Sequence, residues 1–332
     1  MANNNYQDKY EWEDRYDHLA REFHERGRSR QTHREKKHRA DHQTKMSRRE
    51  IVENIAAEND LVSDFKPTYL RNFDPKHHEY NWVMENLSGF YVDKIVLDVL
   101  GIVKAGKEAN VYTCTGTESS GWEYIAAKVY RPRMLRNLSN DAIYKAGRLT
   151  IGQDGKDIHG RGDSREERAM KKKTAFGKKI DFATWIVHEY GIQQQLYNIG
   201  AAVPEPISHR NHTILMEYVG NAAGPAHTLI DTTLTAEEAP LLFDKAMDNI
   251  ELMLAHHMVH GDLSAYNILY WQGDIKIIDF PQVSDARKNP HAFDLFARDV
   301  LRVCEYFQKY EVESDPVHLA ADLWQDWLDG RL

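Results

Sequence analysis

The sequence predicts an α+β chain with a β-rich first half and a helical second half. Three short runs around residues 96–130, KIVLDVLGIV, ANVYTCTG and EYIAAKVY, are rich in Val, Ile and Tyr, with SSG as a turn between the last two. Beyond residue 180, apolar residues recur at helical spacing in DFATWIVHEYGIQQQLYNIG, in 236–258 and in 291–309. Apolar residues make up 42% of the 332, enough for an ordinary core in one large domain or two smaller ones.

Composition excludes several classes. Two cysteines, Cys114 and Cys304, cannot build a disulfide scaffold or a multi-cysteine zinc module. No stretch reaches the ~20 apolar residues that span a bilayer. The start, MANNNYQDKYEWED, is polar and acidic, unlike a signal peptide. A cytoplasmic protein without membrane contact is therefore expected.

Taken in order, residues 1–50 read as a charged, basic extension with little to bury, and as mobile. Residues 51–95 read as a helical cap, opening with IVENIAAENDLV. The strand runs belong to a first lobe at 96–219, which carries a long flexible loop at 131–180. The helix over 181–200 stops at Gly200, Pro204 and Pro206, and the strand HTILMEYVG follows it. In the second lobe, 220–332, a helix over 236–258 leads into HGDLSAYN. The strand ILYW, a QG turn and the strand DIKIIDF come next, then a helix over 291–309 and a short terminal one. The net charge of −8 hides segregation, because residues 21–49 hold 11 Lys and Arg against four acids, and residues 131–180 hold 14 against six. Two basic segments on an acidic body suit contact with RNA or another polyanion.

The densest chemistry lies in HGDLSAYNILYWQGDIKIIDF. It sets Asp262, Asn267 and Asp279 on one loop and two adjacent strands. Phosphoryl transfer from ATP needs an acceptor for the attacking hydroxyl's proton and oxygen ligands for a hard cation. Asp262 suits the first task, and Asn267 and Asp279 suit the second with Mg2+, or Mn2+ as a substitute. Upstream, YIAAKVY sets Lys128 late in the third strand, where it can reach the α and β phosphates. Such a lysine needs an anionic partner, for which Glu189 on the next helix is better placed than Glu108 in the loop. The phosphate loop departs from G-x-G-x-x-G-x-V, since the register gives Lys104, Gly106, Ala109 and Val111. Backbone N–H groups near Gly106, with Lys104 or Lys107, would do the work there. His260 is expected to orient the loop by hydrogen bonding, not to bind a metal.

The strings GKEANVY at 106–112, HGDLSAYNILY at 260–270 and IDFPQ at 278–282 resemble the RIO family of atypical protein kinases, over about residues 96–310. The first two look like the family's first branch and the third like its second, as in a separate prokaryotic lineage. The resemblance implies a trimmed protein-kinase-like fold, with a β-rich N-lobe, a helical C-lobe and ATP between them. It implies autophosphorylation on serine or threonine, and ATP hydrolysis. It puts the catalytic Asp at Asp262, the metal ligands at Asn267 and Asp279, the phosphate lysine at Lys128 and its helix partner at Glu189. It puts the hinge at Met216, Glu217, Tyr218 and Val219. The flexible insertion falls on 131–180, with Ser139, Thr150, Ser164 and Thr174 as acceptors. HRD has become HGD, no A-P-E follows Asp279, and 53 residues remain after it, so no activation loop or peptide-docking lobe is expected. Ser264 stands where most such kinases carry a lysine contacting the γ-phosphate.

The leading expectation is an ATP- and Mg2+-dependent serine/threonine kinase acting on a protein whose identity the sequence does not give. The alternatives are an ATPase switch that assembles ribosomal particles or RNA, and a small-molecule phosphotransferase. Both use the same loop.

Overall fold

The computed structural model describes residues 62–106, 108–131 and 175–332, and for 175–185 the backbone alone. The expected extension at 1–50, the start of the helical cap, Lys107 and the four acceptor hydroxyls lie outside the described residues. Packing divides the chain into two units. One holds the described residues up to Arg131 together with Ser208–Tyr218, and the other holds 175–207 and Val219–Leu332.

The first unit is a five-stranded sheet in the order β1-β2-β3-β5-β4. Its strands are β1 Val96–Ala105, β2 Ala109–Gly116, β3 Tyr124–Tyr130, β4 Pro206–Arg210 and β5 Thr213–Glu217. The first three are the runs read from the sequence, joined between β2 and β3 by a one-turn 3-10 helix, Glu118–Ser120. Thr117 caps that turn, and Gly121 closes it at φ 75°, a conformation that favours glycine. β4 was hidden by Pro204 and Pro206, which read as stops. It is an edge strand and Pro206 is its first residue, where a missing N–H costs no ladder bond. Helix α1, His78–Val92, buries Trp82, Val83, Leu87 and Phe90. It is tied to the sheet where Thr213 Oγ1 donates to the Asn86 carbonyl at 3.4 Å and Arg210 pairs with Asp93 at 2.9 Å.

The second unit is mainly helical, with α2 Ala175–Asn198, α3 Glu238–Ala255, α4 Ala292–Gln308 and α5 Pro316–Asp329. Short strands connect them: β6 His227–Thr228, β7 Met258–Val259, β8 Ile268–Trp271, β9 Asp274–Ile277 and β10 Ser284–Asp285. β8 and β9 form a hairpin through Gln272 and Gly273, both at positive φ, as a two-residue turn requires. The core joins Ile250 and Met253 of α3, Phe296, Val300 and Phe307 of α4, and Trp324 of α5. Leu196 of α2 belongs to the same core, so the C-terminal half of that helix packs with the second unit. Helix α5 begins with Asp315 accepting from the N–H groups of Val317 and His318 and stops at Gly330, φ 71°. Among the described residues, no helix is long and apolar enough to cross a membrane.

Candidate active site

The loop His260–Asn267 runs from β7 to β8. Gly261 sits at φ 80°, which explains the glycine of HGD: a side chain there would strain the backbone. One turn of α4 grips the loop. Asp299 accepts from the N–H of Gly261 at 2.7 Å through one oxygen and from that of Leu263 at 2.9 Å through the other. Arg298 donates to the Gly261 carbonyl. Arg302 Nη1 donates to Asp262 Oδ1 at 2.8 Å. Asp299 is buried, and burial pushes its carboxyl up to about 7, against the pull of the two N–H groups and of Arg298 and Arg302.

His260 fills the expected orienting role. The Asp262 N–H donates to its Nδ1 at 3.3 Å, and its Nε2 lies 3.3 Å from the Ile278 carbonyl. A neutral ring with the proton on Nε2 satisfies both contacts. The Phe280 ring packs 5.6 Å away. Asn267 closes the loop: its Nδ2 donates to the Asp262 carbonyl at 2.9 Å, and its backbone N–H donates to the Ser264 carbonyl at 2.9 Å. The Asn267 carbonyl in turn accepts from the Ile278 N–H at 2.9 Å, next to Asp279. Asp279 takes φ 75°, in the left-handed region that non-glycine residues seldom adopt. Asp262, Ser264 and Asn267 are thus joined by hydrogen bonds, Asp279 follows the residue that bonds Asn267, and all four are partly exposed. With Nδ2 occupied, Asn267 keeps Oδ1 for a hard cation, and a second oxygen source follows in Asp279. No group of three or more His, Cys, Asp or Glu suited to a metal occurs among the described residues.

The remaining expected residues are distributed over both units. Lys128 lies on β3 between Val111 of β2 and Ile214 of β5, with its Nζ 5.1 Å from the centre of the Tyr130 ring. Lys104 is exposed on β1. The Gly106 N–H donates to the Ala109 carbonyl at 2.9 Å, and a Cβ on Gly106 would stand 2.7 Å from that oxygen, so the turn requires glycine. Glu108 is exposed and its carbonyl accepts from Arg131. Met216 and Glu217 end β5, opposite Ala126 and Ile125. Val219 opens the second unit, and its carbonyl accepts from Ala226 at 2.8 Å. Glu189 is buried on α2, in the second unit, 1% exposed.

Two sets of residues escaped the sequence reading. Asp299, Arg298 and Arg302 are one. Their signal was a charged residue on the apolar stripe of α4, between Phe296 and Val303. Asn110 is the other, buried inside the GKEANVY string. Its Oδ1 accepts from Arg131 at 2.6 Å, and its Nδ2 donates to the Tyr112 hydroxyl at 3.0 Å. That hydroxyl donates to Glu79 of α1 at 2.5 Å. Burial and the Glu79 carboxylate raise the Tyr112 phenol well above its ordinary range.

A family model described as the RIO domain matches residues 110–319. The serine/threonine-protein kinase rio1 of Schizosaccharomyces pombe is 27% identical over 216 residues, covering 64% of this chain and 39% of its own length. The serine/threonine-protein kinase rio1 of Dictyostelium discoideum is 30% identical over 221 residues, covering 65% and 34%. The RIO-type serine/threonine-protein kinase Rio1 of Thermoplasma acidophilum is 33% identical over 132 residues, covering 40% and 68%. The chain thus spans less than two fifths of the length of the first two.

Proposed function

The chain belongs to the RIO domain family, and from that premise we propose that it is an ATP- and Mg2+-dependent serine/threonine protein kinase. The observation that carries the reading is the bond from Asn267 to the Asp262 carbonyl, together with the bond from the Ile278 N–H to the Asn267 carbonyl, which sets Asp279 one residue beyond that contact. Asp262 is the base: a carboxylate oxygen takes the proton of the attacking hydroxyl as the phosphoryl group departs. Asn267 Oδ1 and Asp279 are the oxygens for Mg2+, which when bound offsets charge on the phosphates. Lys128 is the residue for the α and β phosphates, and Glu189 is the acid that the family resemblance assigns as its partner. Gly106, with Lys104 and Lys107, covers the phosphates, while Met216, Glu217 and Val219 line the base of the nucleotide. Ser264 takes the place of a γ-phosphate lysine. The acceptor is a protein hydroxyl, first on the chain itself. The basic segments 21–49 and 131–180 would bring an RNA-bearing particle within reach through its phosphates.

The test is incubation of the pure chain with γ-labelled ATP and Mg2+, beside Asp262→Ala and Asp279→Ala. Acid-stable label on Ser or Thr in the wild type, lost at least ~100-fold in both variants, is expected. Phosphate release without stable label replaces the kinase reading with an ATPase switch. Label on neither protein nor water, despite ATP binding, redirects the search to small-molecule acceptors.

A further inference from the structure

Resting on that kinase reading, we infer that Arg302 is a positioning residue for the base. It would hold one oxygen of Asp262 and leave the other to face the acceptor hydroxyl.

The loop reads HGD, so it carries no arginine of its own beside Asp262. The backbone at Gly261, φ 80°, favours glycine over an arginine at that position. A guanidinium nevertheless reaches the carboxylate, from 40 residues downstream, where Arg302 Nη1 donates to Asp262 Oδ1 at 2.8 Å. The arm is short and rigidly based. Arg302 lies one turn beyond Arg298 and three residues beyond Asp299, and those two fix the backbone on either side of Asp262. One helical turn therefore sets both the peptide groups around the base and the direction of its side chain.

Two features separate positioning from plain stabilisation. The side chains of Arg302 and Asp262 are 36% and 39% exposed. Ion pairs so open to water contribute little to folding, so the pair's value must be sought elsewhere. The contact also uses a single carboxylate oxygen and a single guanidinium nitrogen. A two-pronged pair would occupy both oxygens and compete with the substrate hydroxyl. The single contact restricts side-chain rotation and leaves Oδ2 for the proton, which a general base must meet at hydrogen-bonding distance. Because one nitrogen suffices, a lysine can replace part of the function, which it could not do at a forked contact.

The experiment compares wild type, Arg302→Ala, Arg302→Lys, Asp262→Asn and the double variant Asp262→Asn/Arg302→Ala. Initial rates of phosphate transfer are measured over a range of ATP concentrations, with thermal melting of each protein. Arg302→Ala is expected to lower kcat about 10- to 100-fold, with the KM for ATP and the melting temperature unchanged. Arg302→Lys should recover several-fold of that loss. In the Asp262→Asn background, removing Arg302 should cost nothing further, because the arginine acts only through that carboxylate. An undiminished kcat in Arg302→Ala overturns the inference. So does an equal loss in both backgrounds, or a loss confined to KM. A wild type that transfers no phosphate overturns the kinase reading itself, and with it this inference.

Discussion

In the loop carrying Asp262, the Gly261 N–H, the Gly261 carbonyl, the Asp262 carboxylate and the Leu263 N–H are all held by side chains of α4. The turn at Gly106 is instead held by its own backbone, through one hydrogen bond to the Ala109 carbonyl. The first region is set by residues 36 to 40 positions away, the second by a residue three positions away. A base that must meet a proton within a few tenths of an ångström gains from long-range anchors fixed in a core. A turn proposed to wrap phosphates needs only a backbone shape that lets them approach. The comparison predicts that loss of the buried anchor Asp299 shows in kcat and stability together, loss of the half-exposed Arg302 in kcat alone, and damage to the second region chiefly in ATP affinity.

The largest effect is expected from Asp299→Ala. It strands two buried N–H groups, each costing about 1–3 kcal/mol when unsatisfied. Removing a buried carboxyl relieves part of this, so about 2 kcal/mol of net destabilisation is expected. Phosphate transfer should fall at least ~100-fold as the loop loses its shape. Denaturant titration and labelled-phosphate transfer at saturating ATP measure both. Intact kcat in a folded variant would break the comparison, because the anchors would then be unnecessary.

A smaller effect follows from the same carboxyl. Its folded value, raised to about 7, lies above the ~3.9 of an unfolded aspartate. The folded state therefore binds more protons between these values. This contribution to stability is fully present below pH ~4 and is lost as pH rises through about 7. Melting temperatures taken from pH 5 to pH 8 should fall in the wild type. The fall should be shallower in Asp299→Ala, whose folded state lacks the group.

These two regions also differed in how much of them the sequence revealed. The strands around 96–130, helices α3 and α4 and the hairpin after the loop were legible from apolar spacing and turn residues. That reading is local, and so is most of what builds those elements. Asp262, Asn267 and Asp279 were legible because their spacing within one stretch is itself the motif. Asp299 and Arg302 were not, because a contact 36 to 40 residues long has no local spacing. Only the oddity of an aspartate on the buried face of an amphipathic helix hinted at it. Asn110 was hidden differently: it sat in plain view inside GKEANVY, but its work is to join Arg131 and Tyr112, and through Tyr112 to reach Glu79. Strand β4 was concealed because prolines read as stops everywhere except at the start of an edge strand.

Gly106→Ala should produce the smallest effect, and it tests the local side of the comparison. Gly106 is not among the positive-φ glycines, so alanine meets no backbone penalty there. It meets a steric one, since the new Cβ would lie 2.7 Å from the Ala109 carbonyl oxygen, a backbone atom that cannot rotate away. Overpacking of this kind costs about 1–3 kcal/mol, while the stiffer unfolded chain returns about 0.4–1 kcal/mol. The net is about 1 kcal/mol of destabilisation, with the turn opened and its N–H groups displaced. The KM for ATP should rise a few-fold while kcat holds, since the groups that hold the Asp262 loop come from α4. Steady-state rates at varied ATP read the split directly. A fall in kcat at constant KM would mean that the glycine turn takes part in aligning the reacting groups. The division between a long-range anchored base and a locally made phosphate grip would then fail.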